Sequence, residues 1–487
     1  MEAIEILANE LVELAKSVCE QKAETQILEC KAAHVDCPKR LYDTLSSFSN
    51  QDSGGVLLFG IDEKSGFAPV GVYDAQDLQK KVTEQCNQME PPVRAVFTLA
   101  EFNGHLICAA EIPAVDFAER PCYYKGVGRS KGSYIRVGDA DLPMTDLELY
   151  SFEAFRRHLH DDERPAERAT LAMLDGDKLE RYILQRRADR PGFAQLSREQ
   201  TLEMLNITRG EAVTLAAVMN FCVYPQGYFP QLGITAVVVP GTEVGDTDED
   251  AARFTDNKRI EGTIDTMVEE AVAFCRRNMK VRTIIDPETG TRKDRTEYPM
   301  SAIREAVLNA VIHRDYSVYT EGTPVQIIFF ADRLEIHSPG SLYGRMTVDQ
   351  LGIARPDLRN PALAVMAEVL TSAENRYSGI PTIRRAMAEF NLPEPKFENR
   401  RNEFVVTLYN AQEKEEKTPN IEAEKSAAAL LKFCAAPRSR KEIADFLQVK
   451  TVFYAMSHYV QPLLKTGQLA MTLPKTPKSS KQKYYTV

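Results

Sequence analysis

Residues 410–426, NAQEKEEKTPNIEAEKS, place the strongest constraint on what this chain can fold into. The stretch is dense in charge and has no apolar periodicity, so it offers no face to a core and reads as a flexible linker. The chain is therefore at least two bodies, one on either side. A second polar stretch, DDERPAERA at 161–169, marks another boundary. At roughly 100–200 residues per domain, 487 residues fill two to four domains.

The segments between these marks alternate short strands with helices. Ile4, Leu7, Leu11 and Leu14 recur at helical spacing over residues 1–20. A strand around Leu28–Lys31 follows, then a helix from about Lys39 to Phe48 and a strand Val56–Ile61 behind Gly54-Gly55. Ala95–Leu99 and His105–Ile112 flank the turn Phe102-Asn103-Gly104 and predict a hairpin. Thr145 is placed to cap a helix. Further on, strands are expected at Gly233–Val239, Val325–Phe330, Arg333–Ser338 and Glu403–Tyr409. Helices are expected around 263–279, 300–313 and 347–390, and DPETGTRKDRTEYP (286–299) reads as a polar hairpin tip. The fold class is α+β, in several domains.

Composition excludes some roles. No apolar run reaches the ~18 residues of a membrane span. The acidic amphipathic start is not a signal peptide. Nine scattered cysteines with no CxxC pair predict reduced thiols in a cytoplasmic protein. The net charge of −10 excludes a wholly basic nucleic-acid binder, but charge is uneven. From Arg438 onward, Lys and Arg far outnumber the two acids, Glu442 and Asp445.

Period-two alternation in AETQILECKAA (23–33) sends Leu28 and Cys30 to the core and sets Glu29 and Lys31 on the other face. Glu24 precedes them, and Asp62 ends the strand after Gly54-Gly55. Three acids brought together can hold Mg²⁺ or Mn²⁺, which activates water and offsets phosphate charge, with Lys31 at the scissile phosphate. The plainer alternative is a half-exposed strand face with a Glu–Lys pair. In YYKGVGRSKGS (123–133) no helix is expected after the glycines, so this is not a phosphate loop. Arg129, Lys131 and Arg136, joined by Lys125, read instead as a basic stripe on an acidic domain.

The pattern E-x4-E-x-K, then SFSNQDSGGVLLFGID, then RPCYYKGVGRSKGSYIRVGDADLPMT resembles the Schlafen AlbA-like domain over residues 1–155. The resemblance implies a nucleic-acid-binding module of the kind described in bacterial transcriptional regulators. In animal members the domain can be an endoribonuclease using three acids. Glu24 and Glu29 match two of these by spacing, with Asp62 the candidate third. Cys30 stands where the family commonly has Phe, a packing substitution.

In REAVLNAVIHRDYS (304–317), Glu305 and Asn309 share a helix face, an arrangement that can orient a water and hold Mg²⁺ against phosphates. With DRLEIHSPGSLYGRMT and RNPALAVMAEVL, the chain from 165 to 410 resembles a histidine-kinase-like (GHKL) ATPase region, an α/β sandwich. The resemblance makes Glu305 and Asn309 the metal and water residues and puts Gly340 and Gly344 in the first glycine segment. In the second segment, ENRYSGIPTIRRAM, Gly379 is kept and Tyr377 replaces the other glycine. Glycines there let backbone N–H groups approach phosphate, so ATP is the implied ligand and Tyr377 weakens the case for sustained hydrolysis.

Residues 427–487 read as three helices and a β-hairpin, the order of a winged helix. Ser439 caps a helix and Thr451–Leu464 is the candidate recognition helix. Lys450 lies in the turn before it, and Lys475, Lys478, Lys481 and Lys483 lie in or beside the wing tip, where they could neutralise phosphates. Three functions remain open on the sequence: a DNA- or RNA-binding regulator responsive to ATP or another ligand, a metal-dependent endoribonuclease, or an assembly scaffold with a degenerate ATPase fold. Such architectures are usually symmetric, so a homo-oligomer, dimer or larger, is expected.

Overall fold

Both faces of the first sheet are covered by helices, which is why its central strands, Gly55–Phe59 and His105–Ile112, read as nearly continuous apolar runs. The computed structural model describes residues 2–248, 251–285, 292–371, 379–410, 430–446, 455–460, 463–464, 467–472 and 482–486. The first sheet runs Leu28–Lys31, Gly55–Phe59, His105–Ile112, Val96–Phe102 in spatial order, the first pair parallel and the others antiparallel. Leu58 joins Leu11, Ala15 and Val18 of the helix Glu2–Gln21 in one core. Its neighbours Leu57 and Phe59 point the other way, to Leu45 and Phe48 of the helix Tyr42–Asn50 and Leu78 and Val82 of Ala75–Asn87. The glycine pair is explained by approach: a Cβ on Gly55 would enter the Phe48 ring, and Gly54 has φ +64°. Asn50 ties this helix to later chain, donating to the carbonyls of Cys122 (2.9 Å) and Tyr134 (3.1 Å).

The hairpin around Asn103-Gly104 forms as expected, and a second pairs Tyr134–Val137 with Ala140–Pro143. Thr145 caps the helix Asp146–Arg157 in a reciprocal capping box with Glu148. A short helix, Arg129–Gly132, does follow Gly128, correcting the expectation that none starts there.

The stretch 161–169 is not a solvated linker. Asp162 is fully buried and accepts from the backbone N of Leu363 (2.8 Å), while Ala166 and Ala169 enter the second core. Its charges are met by protein: Arg164 pairs with Glu321. Arg401 also grips Glu148 (2.8 Å) and the Pro143 carbonyl (2.8 Å). Residues 1–410 accordingly form one compact unit, and 411–487 form another.

Within the first unit, the second sheet has six strands in the order Asp256–Ile260, Ile234–Val238, Val325–Phe329, Arg333–Pro339, Glu403–Tyr409, Lys396–Arg400. All pairings are antiparallel except Ile234–Val238 with Val325–Phe329. Alternate residues, such as Ile234 and Ala236 or Leu334 and Ile336, pack on the helices Ile264–Asn278, Met300–His313, Pro361–Thr371 and Gly379–Glu389. This gives the expected layer of helices on a mixed sheet. Val281–Ile285 and Arg292–Thr296 pair antiparallel; the second strand lies inside the stretch 286–299 expected as a hairpin tip, and residues 286–291 lie outside the described residues.

In the second unit, Arg438–Ser439, Lys483–Thr486 and Leu469–Met471 form a three-stranded sheet over Leu430, Cys434, Ile443, Val460 and Leu463. Ser439 caps Arg440–Phe446, as predicted: its Oγ accepts from Glu442 N (3.3 Å). The linker 411–426, residues 451–454 and 461–462 of the candidate recognition helix Thr451–Leu464, and Lys450, Lys475, Lys478 and Lys481 lie outside the described residues, while Ala455–Val460 is a π-helical turn. Among the described residues, no helix is long and apolar enough to cross a membrane.

Candidate functional site

At the edge of the first sheet, the face carrying Glu29 is covered. Glu29 is only 8% exposed, because the hairpin Tyr134–Pro143 lays Arg136 over it. Arg136 places Nη2 2.7 Å from Glu29 Oε2 and 3.9 Å from Glu24 Oε2, and Nη1 3.0 Å from Asp141 Oδ1. A guanidinium therefore stands between two of the three acids expected to hold a metal. Asp62 does not join them. Its carboxylate caps the turn Glu63–Ser65, accepting from Lys64 N (3.2 Å) and Ser65 Oγ. Among the described residues no group of three His, Cys, Asp or Glu side chains has the geometry of a metal site. Lys31, assigned to a phosphate, is bonded to Glu29.

The basic stripe changes in the same way. Arg136 is buried within its ion pairs. Arg129 is paired to Glu153 (2.6 Å), and Lys125 to Glu90 (3.1 Å), while Lys131 is exposed. In the second unit Lys483 is exposed as well.

Glu24 is the unusual group of this cluster. Burial pushes its carboxyl up to about 7, against the bond from Cys30 N (2.8 Å), and the charges of Glu29 and Glu63 add to the rise. An acid whose folded pKa lies above its unfolded value of 4.5 stabilises the fold below that value and loses the contribution as pH rises through about 7. Between pH ~5 and ~8 the melting temperature of the wild type should therefore fall relative to Glu24→Gln, which holds the neutral form. Parallel melting curves across that range for the two proteins would refute this account.

The second constellation does assemble. Glu305, Asn309 and His313 follow one another at one-turn intervals on the helix Met300–His313 and line a single cleft of about 200 Å³. Asn309 donates to Glu305 Oε1 at 3.4 Å, and burial raises the Glu305 carboxyl above the usual range. Gly379 opens the facing helix. A Cβ there would overlap Glu305 Oε1 and lie 2.8 Å from Asn309 Nδ2, so any larger residue would force the two side chains to turn aside. Gly340 has φ +98°, and a Cβ on it would meet Asp315 Cβ at 2.6 Å. Gly344 does not line the cleft. It has φ +71° and turns the loop beside Asp357, which does. Tyr377 lies outside the described residues.

Ile336, Met346, Leu351, Ile383 and Val406 give the cleft its apolar walls. An apolar cavity with a few fixed polar groups at one end suits a ligand with a flat apolar part and a charged part. Three wall residues escaped the sequence reading. His313 opens onto the cleft and is exposed there. Arg359 donates to the Ser341 carbonyl (2.8 Å) and lies over the Tyr343 ring at 5.2 Å.

Comparison with known proteins falls into three segments. Residues 24–145 match the family model "Schlafen, AlbA_2", which begins on Glu24. Residues 322–408 match "Putative ATP-dependent DNA helicase recG C-terminal", an ATPase-type model that contains Gly340, Gly344 and Gly379 and starts after Glu305 and Asn309. Residues 426–486 match "Filamentation induced by cAMP protein Fic-like, C-terminal domain". The first two bear out the AlbA-like and ATPase-like regions that the motifs imply. No curated protein matches the chain. Among solved structures, the DIP2311 protein from Corynebacterium diphtheriae is 18% identical, with 95% of this chain and 93% of that one covered and a TM-score of 0.39. The N-terminal domain of a RecG-related protein from Nitrosomonas europaea is 26% identical, with 28% of this chain and 93% of that one covered and a TM-score of 0.23.

Proposed function

We propose that this chain is a nucleic-acid-binding regulator whose second sheet carries a nucleotide cleft that controls the binding. The observation that carries the reading is the approach of Gly379 to the Glu305–Asn309 pair at the wall of the cleft. A carboxylate and an amide one turn apart, facing a backbone stripped of side chain, fit a divalent cation and the phosphates it accompanies. Glu305 and Asn309 would hold Mg²⁺ or Mn²⁺ with ATP, and the apolar walls would take the base. The AlbA_2 and RecG-related matches support nucleic acid as the partner. The regulator role rests on the module order and on the lysine-rich tail, whose winged-helix character belongs to this proposal.

The endoribonuclease reading is not favoured, because Arg136 sits between Glu24 and Glu29 and Asp62 is committed to its own turn. Titration of the full chain with ATP and Mg²⁺ by calorimetry, followed by mobility shift of duplex DNA at low salt with and without nucleotide, tests the proposal. Saturable ATP binding and a DNA midpoint that moves on adding ATP are expected. Absence of heat at millimolar ATP removes the cleft from the account, and absence of a shift at low salt removes the nucleic acid.

A further inference from the structure

One wall of the cleft is built on the AlbA-like region rather than on the ATPase-like region that contains the cleft. Tyr343 lines the cleft with one side of its ring and meets the Phe155 ring edge-on at 5.5 Å with the other. Phe155 in turn meets Phe117 at 4.9 Å. Two residues after Tyr343, Arg345 lies 5.4 Å over the Phe155 ring and bonds Asp116 through Nε and Nη2 at 3.3 and 3.1 Å. The segment carrying Arg359 is held from the same side. His160 Nδ1 lies 3.2 Å from the Arg359 carbonyl, and buried Asp162 accepts from Leu363 N.

Beyond Phe117 the contacts continue. Arg120 lies over its ring at 5.6 Å, pairs with Asp52 (2.8 Å) and donates to the Gln51 carbonyl (3.2 Å). Gln51 adjoins Asn50, which fixes the strand carrying Arg136 through the Tyr134 carbonyl. A chain of contacts thus links the cleft wall to the strand that carries Arg136.

We infer that occupancy of the cleft and nucleic-acid binding by residues 24–145 are coupled through the Tyr343–Phe155–Phe117 ring contacts, with the Arg345–Asp116 pair as the second strut. The inference rests on the nucleotide reading above and adds to it the contacts through which the two sites are coupled. A ligand that shifts the loop Gly340–Met346 displaces Tyr343 and Arg345 and so changes their contacts with Phe155 and Asp116, while the loop's other bonds, to Asn399 and Asp357, stay within the ATPase-like region. Coupling of this kind is reciprocal, so nucleic acid must change the affinity for nucleotide by the same factor. A surface pair such as Arg345–Asp116 contributes little alone, which makes the buried ring contact the main carrier.

Hydrogen exchange of the full chain, with and without a non-hydrolysable ATP analogue and Mg²⁺, tests it. Protection is expected at 338–346 and 379–389, and also at 114–122 and 150–160, with about fivefold or slower exchange in the distal pair, the lower end of usual inter-site coupling. Phe155→Leu, which does not line the cleft, should keep the proximal protection and lose the distal. Asp116→Asn, an exposed change that leaves the core alone, should reduce the distal protection if the leucine variant does not fold. Proximal protection with unchanged exchange at 114–122 and 150–160 overturns the coupling and leaves the cleft reading intact. Unchanged exchange everywhere overturns both.

Discussion

Arg136→Ala should destabilise the first unit by about 3–5 kcal/mol, the usual result of removing one partner from a buried ion pair. The side chain is 1% exposed and is shared by Glu29 and Asp141, with the Glu24 carboxylate 3.9 Å away. Its removal leaves mostly buried acids facing one another, and it also takes away the donor to the Leu28 carbonyl (3.4 Å) and the cation over the Phe48 ring (5.4 Å). Arg136→Lys should fall between wild type and alanine. One ammonium can neutralise one carboxylate, but it cannot fork between Glu29 and Asp141. Urea unfolding of the three proteins measures this. A loss below about 1 kcal/mol for the alanine variant would mean that the cluster is solvated, as a surface pair is, and would reopen the metal reading of this face.

That cluster shows what a sequence pattern does and does not carry. Alternation assigned Leu28 and Cys30 to the core correctly, and both are buried. It also gave Glu29 and Lys31 a common face, which is right. It could not say what lies over that face, because the cover comes from Tyr134–Val137, about a hundred residues away. Arg136 was legible as a cation and was assigned to nucleic acid. Its burial depended on a pairing that no local pattern announces. Asp62 failed for the opposite reason. Lys64 and Ser65, two and three residues on, offered local hydrogen bonds, and local bonds of this sort readily claim an aspartate at a strand end.

The stretch 161–169 misled through composition. Polar residues in a row usually mark a solvated connection, but Asp162 is there to accept a backbone N–H at the start of Pro361–Thr371. A charge that serves a helix end two hundred residues later looks, in sequence, like any linker charge. The glycine positions were the more legible part of the second site. Gly340, Gly344 and Gly379 stand where φ is positive or where a Cβ has no room, and those needs are what glycine in a motif reports. The supporting wall, Tyr343 with Arg359 and His313, was not, since its parts meet only after the loop folds back over the helix Met300–His313.

The site residues invite the most decisive test. Asn309→Ala should weaken binding of ATP with Mg²⁺ by about 10- to 100-fold, which is what losing a hydrogen bond to a charged group, at about 1.5–3 kcal/mol, amounts to. Stability should barely change, because the recorded side-chain bond of Asn309 is the 3.4 Å contact to Glu305, on its own helix. Gly379→Ala should produce a similar loss by a different route. Its Cβ would push into the Glu305 carboxylate and the Asn309 amide, so the pair has to swing aside or the helix start has to retreat. Glu305→Gln separates metal from shape: it keeps the volume and removes the charge, so binding should weaken in Mg²⁺ and be little altered when the cation is chelated. Calorimetric titration of all three against wild type decides the matter. Wild-type affinity in both Asn309→Ala and Gly379→Ala would place the nucleotide elsewhere, whereas loss in both with unchanged melting temperatures ties it to the point where the glycine backbone meets the Glu305–Asn309 pair.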